Sequence, residues 1–293
     1  MHVISKKIPY PNLTPFTNSM NRFSGFITAA CLMFLVLGLT LPADAQQRIE
    51  PELAELERPL SPRDFDIRNG IGFRLHLNNF GIGVGAEYRR VLSRYTKGSL
   101  QFQIGTVRDE SEQSFQGYWG YTVIPNKYNR VMSFPVTLGL SRRLFAETLS
   151  DNFRLFLHAS GGPAPAYVYP YYDHGMFNMG FRPQFQGLSQ QHYDVFQGWG
   201  QGSFIIGAAG EVAIGANLGG DFGNIQSIRI GFYFNYYPDG IQMMEPYRPG
   251  ENIVEFNFNL PPEQQAPGVL ETAAGKQSFF GTPHITFVFG SMW

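Results

Sequence analysis

From Gly70 onward, apolar and polar positions alternate with a period of two, the pattern of strands that turn one apolar face and one polar face outward. Eight such runs follow one another. The first sets Ile71, Phe73, Leu75 and Leu77 against Gly72, Arg74, His76 and Asn78. The second sets Ile82, Val84, Ala86 and Tyr88 against Gly83, Gly85, Glu87 and Arg89, with Asn79-Phe80-Gly81 as the turn between them. The third opposes Leu100, Phe102 and Ile104 to Gln101, Gln103 and Gly105. The fourth opposes Met132, Phe134, Val136, Leu138 and Leu140 to Ser133, Thr137, Gly139 and Ser141, with Pro135 predicting a bulge because it cannot donate to a ladder. In the fifth, Phe153, Leu155, Leu157 and Ala159 alternate with Arg154, Phe156, His158 and Ser160; in the sixth, Phe204, Ile206, Ala208, Val212 and Ile214 alternate with Ser203, Gly207 and Glu211. The seventh has Ile228, Ile230, Phe232, Phe234 and Tyr236 against Arg229, Gly231, Tyr233 and Asn235. The last has Ile285, Phe287, Phe289 and Trp293 against His284, Thr286, Val288 and Gly290.

The charged residues decide which face meets what. Arg74, Glu87, Arg89, Arg154, His158, Glu211 and Arg229 all fall on the small, polar face, and none lies at the middle of the apolar face. A soluble barrel would have the reverse arrangement. Lys or Arg at a bilayer midplane costs about 2–4 kcal/mol, so this segregation predicts an apolar face toward lipid and a polar lumen. Each run has about the ten residues that cross a bilayer. The connections sort the same way: 93–98, 141–152 and 217–226 are short, whereas 108–130, 169–202 and 238–280 are long, and a chain going up and down in order places these two sets at opposite ends. The expected fold is all-β, an eight-stranded antiparallel up-and-down transmembrane β-barrel. Two further extended stretches, 115–124 and 253–260, give a ten-stranded alternative.

Composition fits: 33 Gly, 15 Tyr and 27 Phe, with only 15% charged residues, exclude a disordered chain. A formal net charge of −1 offers nothing to a nucleic acid. The one long apolar run, FITAACLMFLVLGLTL from Phe26, follows Arg22 and precedes Ala43-Asp44-Ala45, a small-x-small cleavage site. Residues 1–45 therefore read as a cleaved signal peptide, with Met20 as a natural start, rather than a retained anchor. Cys31 has most of the apolar run after it, unlike a lipoprotein cysteine, and it is the only cysteine, so cleavage leaves no thiol chemistry. Residues 46–69 read as a periplasmic lead-in and 70–293 as the barrel, exported to the bacterial outer membrane.

The leader, eight alternating runs, long loops at one end and the terminal Phe287-Val-Phe-Gly-Ser-Met-Trp293 together resemble the small outer-membrane β-barrel superfamily of Gram-negative bacteria, with its OmpA-like, OmpX-like and OmpW-like members, in a Bacteroidota-type style. The resemblance implies partners in outer-membrane lipid and lipopolysaccharide and in the barrel-assembly machinery, for which Phe287, Phe289 and Trp293 look like the recognition signal. It identifies no single member.

The expected role is structural or recognitive, through external loops that meet an extracellular protein or glycan; the alternative is a small porin-like channel. Loop candidates are Tyr171, Tyr172, Phe181 and Trp199, aromatic anchors in a Gln- and Gly-rich segment. The lumen charges Arg74, Glu87, Arg89, Arg154, His158, Glu211 and Arg229 are expected to pair into a plug, with Gln103, Tyr233 and Asn235 as further acceptors. His158-Ala-Ser160 resembles the His-x-Ser of outer-membrane lipid A deacylases, with Asp173 in the place of that family's Glu, but a serine facing the lumen does not reach lipid. No enzyme activity, cofactor or metal is expected. Asp109-Glu110-Ser111-Glu112 is acidic but reads as a solvated loop rather than a cation cage.

Overall fold

The computed structural model describes residues 59–116, 122–172, 196 and 198–293. The expected leader, most of the lead-in and the candidates Asp173 and Phe181 lie outside the described residues. The strands, in chain order, are β1 Asn69–Asn78, β2 Gly81–Val91, β3 Thr96–Val107, β4 Phe115–Gln116, β5 Thr122–Val123, β6 Asn129–Ser133, β7 Val136–Arg143, β8 Phe153–Pro170, β9 Ser203–Leu218, β10 Asn224–Ile241, β11 Tyr247–Pro249, β12 Leu270–Thr272 and β13 Gln277–Met292.

β6 and β7 are two pieces of one wall strand, so eight antiparallel strands pair in chain order and β13 returns to β1, from Gly70 opposite Met292 to Asn78 opposite His284. The sheet is closed and has no free edge. The seam is finished at the chain end: the Trp293 carbonyl accepts from the Arg68 and Asn69 amides at 2.9 and 2.8 Å, and the Trp293 amide donates to the Asn69 carbonyl at 2.8 Å.

The alternation dictates which way each side chain points. Ile71, Phe73, Leu138, Ile206, Ile230 and Phe289 are all exposed on the outside, while Arg74, Glu87, Arg154, His158, Glu211 and Arg229 are buried inside. A continuous apolar surface of this kind far exceeds the patches a water-soluble monomer exposes, and with a charged interior it is the surface of a transmembrane barrel.

Three expectations are corrected. Pro135 makes no bulge: Ser133 lies opposite Gly105 and Val136 opposite Phe102, an equal advance on both strands, so only the ladder and not the register is interrupted. The strands are not of one length, since β8, β9, β10 and β13 have 18, 16, 18 and 16 residues against 10, 11 and 12 in β1, β2 and β3. At about 3.3 Å per residue, this raises one side of the wall by about 20 Å at the long-loop end. Neither extra stretch crosses: 115–124 holds only the two-residue hairpin β4–β5, and within 253–260 the chain makes a 3-10 turn at Ile253–Glu255.

Both ends of the lumen are covered. At the long-loop end Phe80, Val107, Val131, Ala166, Tyr237, Ile241, Met243 and Phe280 form one buried apolar cluster. At the short-turn end Val91, Ile225, Val288 and Met292 pack together with Ile67 against them. The chain before β1 crosses that end as a strap. Its 3-10 turn Pro62–Phe65 is fixed by a capping box in which Ser61 accepts from the Arg63 amide and Asp64 accepts from the Ser61 amide.

Candidate functional site

Between the two apolar closures lies a charged layer. The Glu87 carboxylate sits 2.5 Å from Arg89 and 2.5 Å from Arg229, with Arg74 at 3.9 Å. Glu211 pairs with Arg74 at 2.8 Å and lies 4.0 Å from Arg229. Three arginines from three strands thus converge on two carboxylates, and each carboxylate is shared, so the layer ties β1, β2, β9 and β10 across the lumen.

The remaining guanidinium donors go to neutral groups. Arg74 donates to the Gln101 amide oxygen, and Arg89 donates to Ser227 at 3.0 Å and to Asn217 at 3.5 Å. A buried charge is tolerated only with such partners. Gln101, a partner the sequence reading did not single out, is the hub: its amide also donates to Ser99 at 2.9 Å, and its oxygen accepts from Thr137 at 3.2 Å. The expected acceptors Tyr233 and Asn235 instead bond each other at 3.0 Å, although Tyr233 lies opposite Glu211 on the neighbouring strand. Room for these side chains comes from small residues on the same face; a Cβ at Gly139 would lie 2.7 Å from both the His158 ring and the Ser99 hydroxyl.

Of the seven lumen residues expected to form one network, Arg154 stands apart. It is buried near the short-turn end, with its guanidinium 4.1 Å from the centre of the Phe222 ring, while its Nε and Nη1 have no hydrogen-bond partner among the described residues. His76 and His284, which the sequence reading left out, complete the layer by stacking at 4.7 Å and sharing the Thr286 hydroxyl at 2.7 and 3.0 Å.

His158 and Ser160 do not hydrogen-bond each other. The His158 Nε2 accepts from the Gln101 amide at 3.0 Å and faces Arg229 at 3.4 Å, which leaves Nδ1–H to meet the Ser141 hydroxyl at 2.8 Å. The reason is strand geometry: residues two apart on one strand sit about 6.6 Å apart, whereas directly opposed residues lie about 4.5–5.5 Å apart. Ser141 is the residue opposite His158, and the Ser160 hydroxyl has no partner among the described residues.

At the long-loop rim the aromatic candidates are packed. Tyr171 and Tyr172 are buried against Ile124 and Tyr128. Trp199 lies on the outside of the raised wall, its ring centre 4.7 Å from Tyr167 and 5.2 Å from Tyr169, and its carbonyl accepts from the Tyr167 hydroxyl. Phe196 in the same connection is exposed, and the most exposed apolar side chains lie in the seventh. Val254 is 92% and Phe258 80% exposed, at the tip of the seventh connection beyond the β11–β12 hairpin. Their alternation reads as a strand in sequence, which conceals them.

The acidic group of the third connection is internally satisfied rather than simply solvated. Asp109 accepts from the Ser111 amide at 2.7 Å, and Glu112 pairs with buried Lys127 at 2.5 Å. Burial holds the Lys127 ammonium below the ordinary lysine range, although the Glu112 carboxylate pulls it upward.

No protein-family model matches the chain, and no curated protein matches its sequence. Among solved structures the chain is similar to Ail, the attachment invasion locus protein of Yersinia pestis, in complex with the heparin analogue sucrose octasulfate. The identity is 9%, covering 78% of this chain and 96% of that one, with a TM-score of 0.28. It is also similar to Neisserial surface protein A (NspA), at 6% identity over 77% of this chain and 94% of that one, with a TM-score of 0.29. Overlaps at these scores add nothing to what the strand register already establishes.

Proposed function

We propose that this is an outer-membrane barrel whose lumen does not conduct and whose function is recognition at the long-loop end. The observation that carries this reading is the filling of the lumen in three layers: apolar, charged and apolar again. With the interior occupied by side chains, as eight-stranded barrels tend to be, the protein acts through its surface. The long-loop end then faces out of the cell, the short-turn end faces the periplasm, and the apolar wall meets lipid and the lipid part of lipopolysaccharide. Phe287, Phe289 and Trp293 serve assembly before they serve the finished wall. No catalytic role is proposed for His158, Ser160 or Asp173.

The recognition surface is centred on the seventh connection, where Val254 and Phe258 are held out of the packed rim. Exposed apolar and aromatic groups above a rigid wall suit an extracellular protein or the faces of a glycan. Two measurements test this. Folded protein, verified by its heat-dependent gel shift, is expected to give no discrete openings in a planar bilayer; reproducible channels would make it a small porin. Nanodisc-held protein is expected to capture ligands from glycan and extracellular-protein arrays, and a variant lacking residues 253–260 to lose them with its gel shift intact. Retained capture would move the surface elsewhere.

A further inference from the structure

The strap described above flanks a cavity of about 40 Å³ at the short-turn end of the lumen, whose charged lining is Arg89, Arg94, Lys97, Arg143 and Arg154 with the single carboxylate Glu87, and to which the strap adds Pro62. One water needs about 10–15 Å³ of such space, so the cavity has room for about three waters or one small oxyanion. Its charge is unbalanced. Arg94 is paired with Asp64 at 2.9 Å, Arg143 with Asp151 at 2.8 Å and Arg89 with Glu87 at 2.5 Å. Glu87 is also committed to Arg229. Arg154 is only 5% exposed, with Nε and Nη1 unpartnered among the described residues, and the half-buried Lys97 makes no ion pair there.

Two cations in one partly enclosed pocket with no carboxylate in direct contact favour something negative that joins them. The Phe222 ring fixes the Arg154 guanidinium from one face and leaves its in-plane donors free, the geometry that Arg uses toward planar or tetrahedral oxyanions. Asn217 and Ser141 line the same cavity and add neutral hydrogen-bonding groups.

We propose that this cavity is a binding site for one small oxyanion of the phosphate type, held by Arg154 and Lys97 and flanked by the strap at Pro62. The occupant is a free anion rather than a headgroup on a lipid, because the cavity lies on the lumen side of the wall, beside the strap, and not on the lipid-facing side. The strap is tied to the rim through the Asp64–Arg94 pair, through Arg143 donating to the Leu60 carbonyl at 2.9 Å, and through Arg63 donating to the Leu92 carbonyl. A bound anion would tighten these ties by drawing in the arginines that make them.

The test uses the folded full chain in detergent, titrated with inorganic phosphate at constant ionic strength set by chloride. Expected are saturable binding of one phosphate per chain in calorimetry and a rise in unfolding temperature. Lys97→Met and Arg154→Gln should each lower phosphate affinity at least tenfold, and Lys97→Met should raise the unfolding temperature in phosphate-free buffer, where it removes a charge that makes no ion pair among the described residues. Arg248→Gln, which breaks an exposed pair with Glu271, should leave phosphate binding unchanged. No saturable effect of phosphate, an effect unchanged by both pocket variants, or binding only to phosphatidylglycerol vesicles and not to phosphate would each overturn the site. If Arg154→Gln lacks the heat-dependent shift, Lys97→Met alone decides the matter.

Discussion

Two neighbouring layers of the lumen are built from inward positions of one closed sheet and are filled with opposite chemistry. Toward the long loops, inward residues are Val107, Val131, Tyr237 and Phe280, packed as in a soluble core. Across the middle they are Arg74, Glu87, Arg89, Glu211 and Arg229, joined by ion pairs. The apolar layer depends on volume, since each side chain can be trimmed alone and the loss is local. The charged layer depends on balance, since each carboxylate answers to more than one arginine and no member can be removed singly.

That contrast is broken most severely at Glu87. Glu87→Ala leaves three arginines with Glu211 alone, and stranding a buried charge costs about 3–5 kcal/mol, seen as a lower urea midpoint of unfolding in detergent. A smaller loss, about 2 kcal/mol, is expected for Val107→Ala in the apolar layer, and planar-bilayer conductance should stay silent because the charged layer still fills the lumen beneath it. An unfolding cost at Glu87 no greater than at Val107 would remove the distinction.

Beyond the membrane the same contrast is sharpened by pH. Lys127 titrates lower in the folded chain than in the unfolded one, because burial outweighs Glu112. Between the two values the unfolded chain binds more protons, so this residue's contribution to stability climbs as pH rises from its folded value toward the ordinary lysine value, then levels. Subtracting the profile of Lys127→Met from that of the intact protein should isolate this rise; a flat difference would mean that Glu112 fully offsets the burial. The smallest effect is expected at the loop tip, where Val254→Ser with Phe258→Ser should change stability by no more than about 0.5 kcal/mol while abolishing the proposed recognition.

The wall was legible in the sequence because lipid and lumen impose a period of two, and the charges it pointed inward, from Arg74 to Arg229, are buried, whereas Lys97 and Arg143, which also line the lumen, lie at strand ends where the alternation gave no signal. Partners within the lumen were not legible. They depend on register between strands: Ser141 rather than Ser160 meets His158 because it lies directly opposite on β7, and nothing local to either residue encodes that. Strand length was hidden for a related reason. In β8 the wall runs on through Gly161, Gly162, Pro163 and Pro165, residues that normally end strands, because β9 supplies a partner for each from Gly161 to Val168. The part played by Tyr171 and Tyr172 was not legible either, because aromatic density in a connection does not distinguish a side chain that binds from one that packs.

The seam between β1 and β13 joins the beginning of the barrel to its last residues, with Gly70 opposite Met292 and the Trp293 backbone bonded to Asn69. Circular closure of this kind cannot be completed until β13 is present, because every contact that shuts the seam has one partner on that strand. Every intermediate is a curled ribbon with two open, hydrogen-bond-hungry margins. Loss of the last strand would therefore yield an open ribbon able to recruit another copy's margin at each side, so the distance between a working barrel and a self-associating one is a single strand.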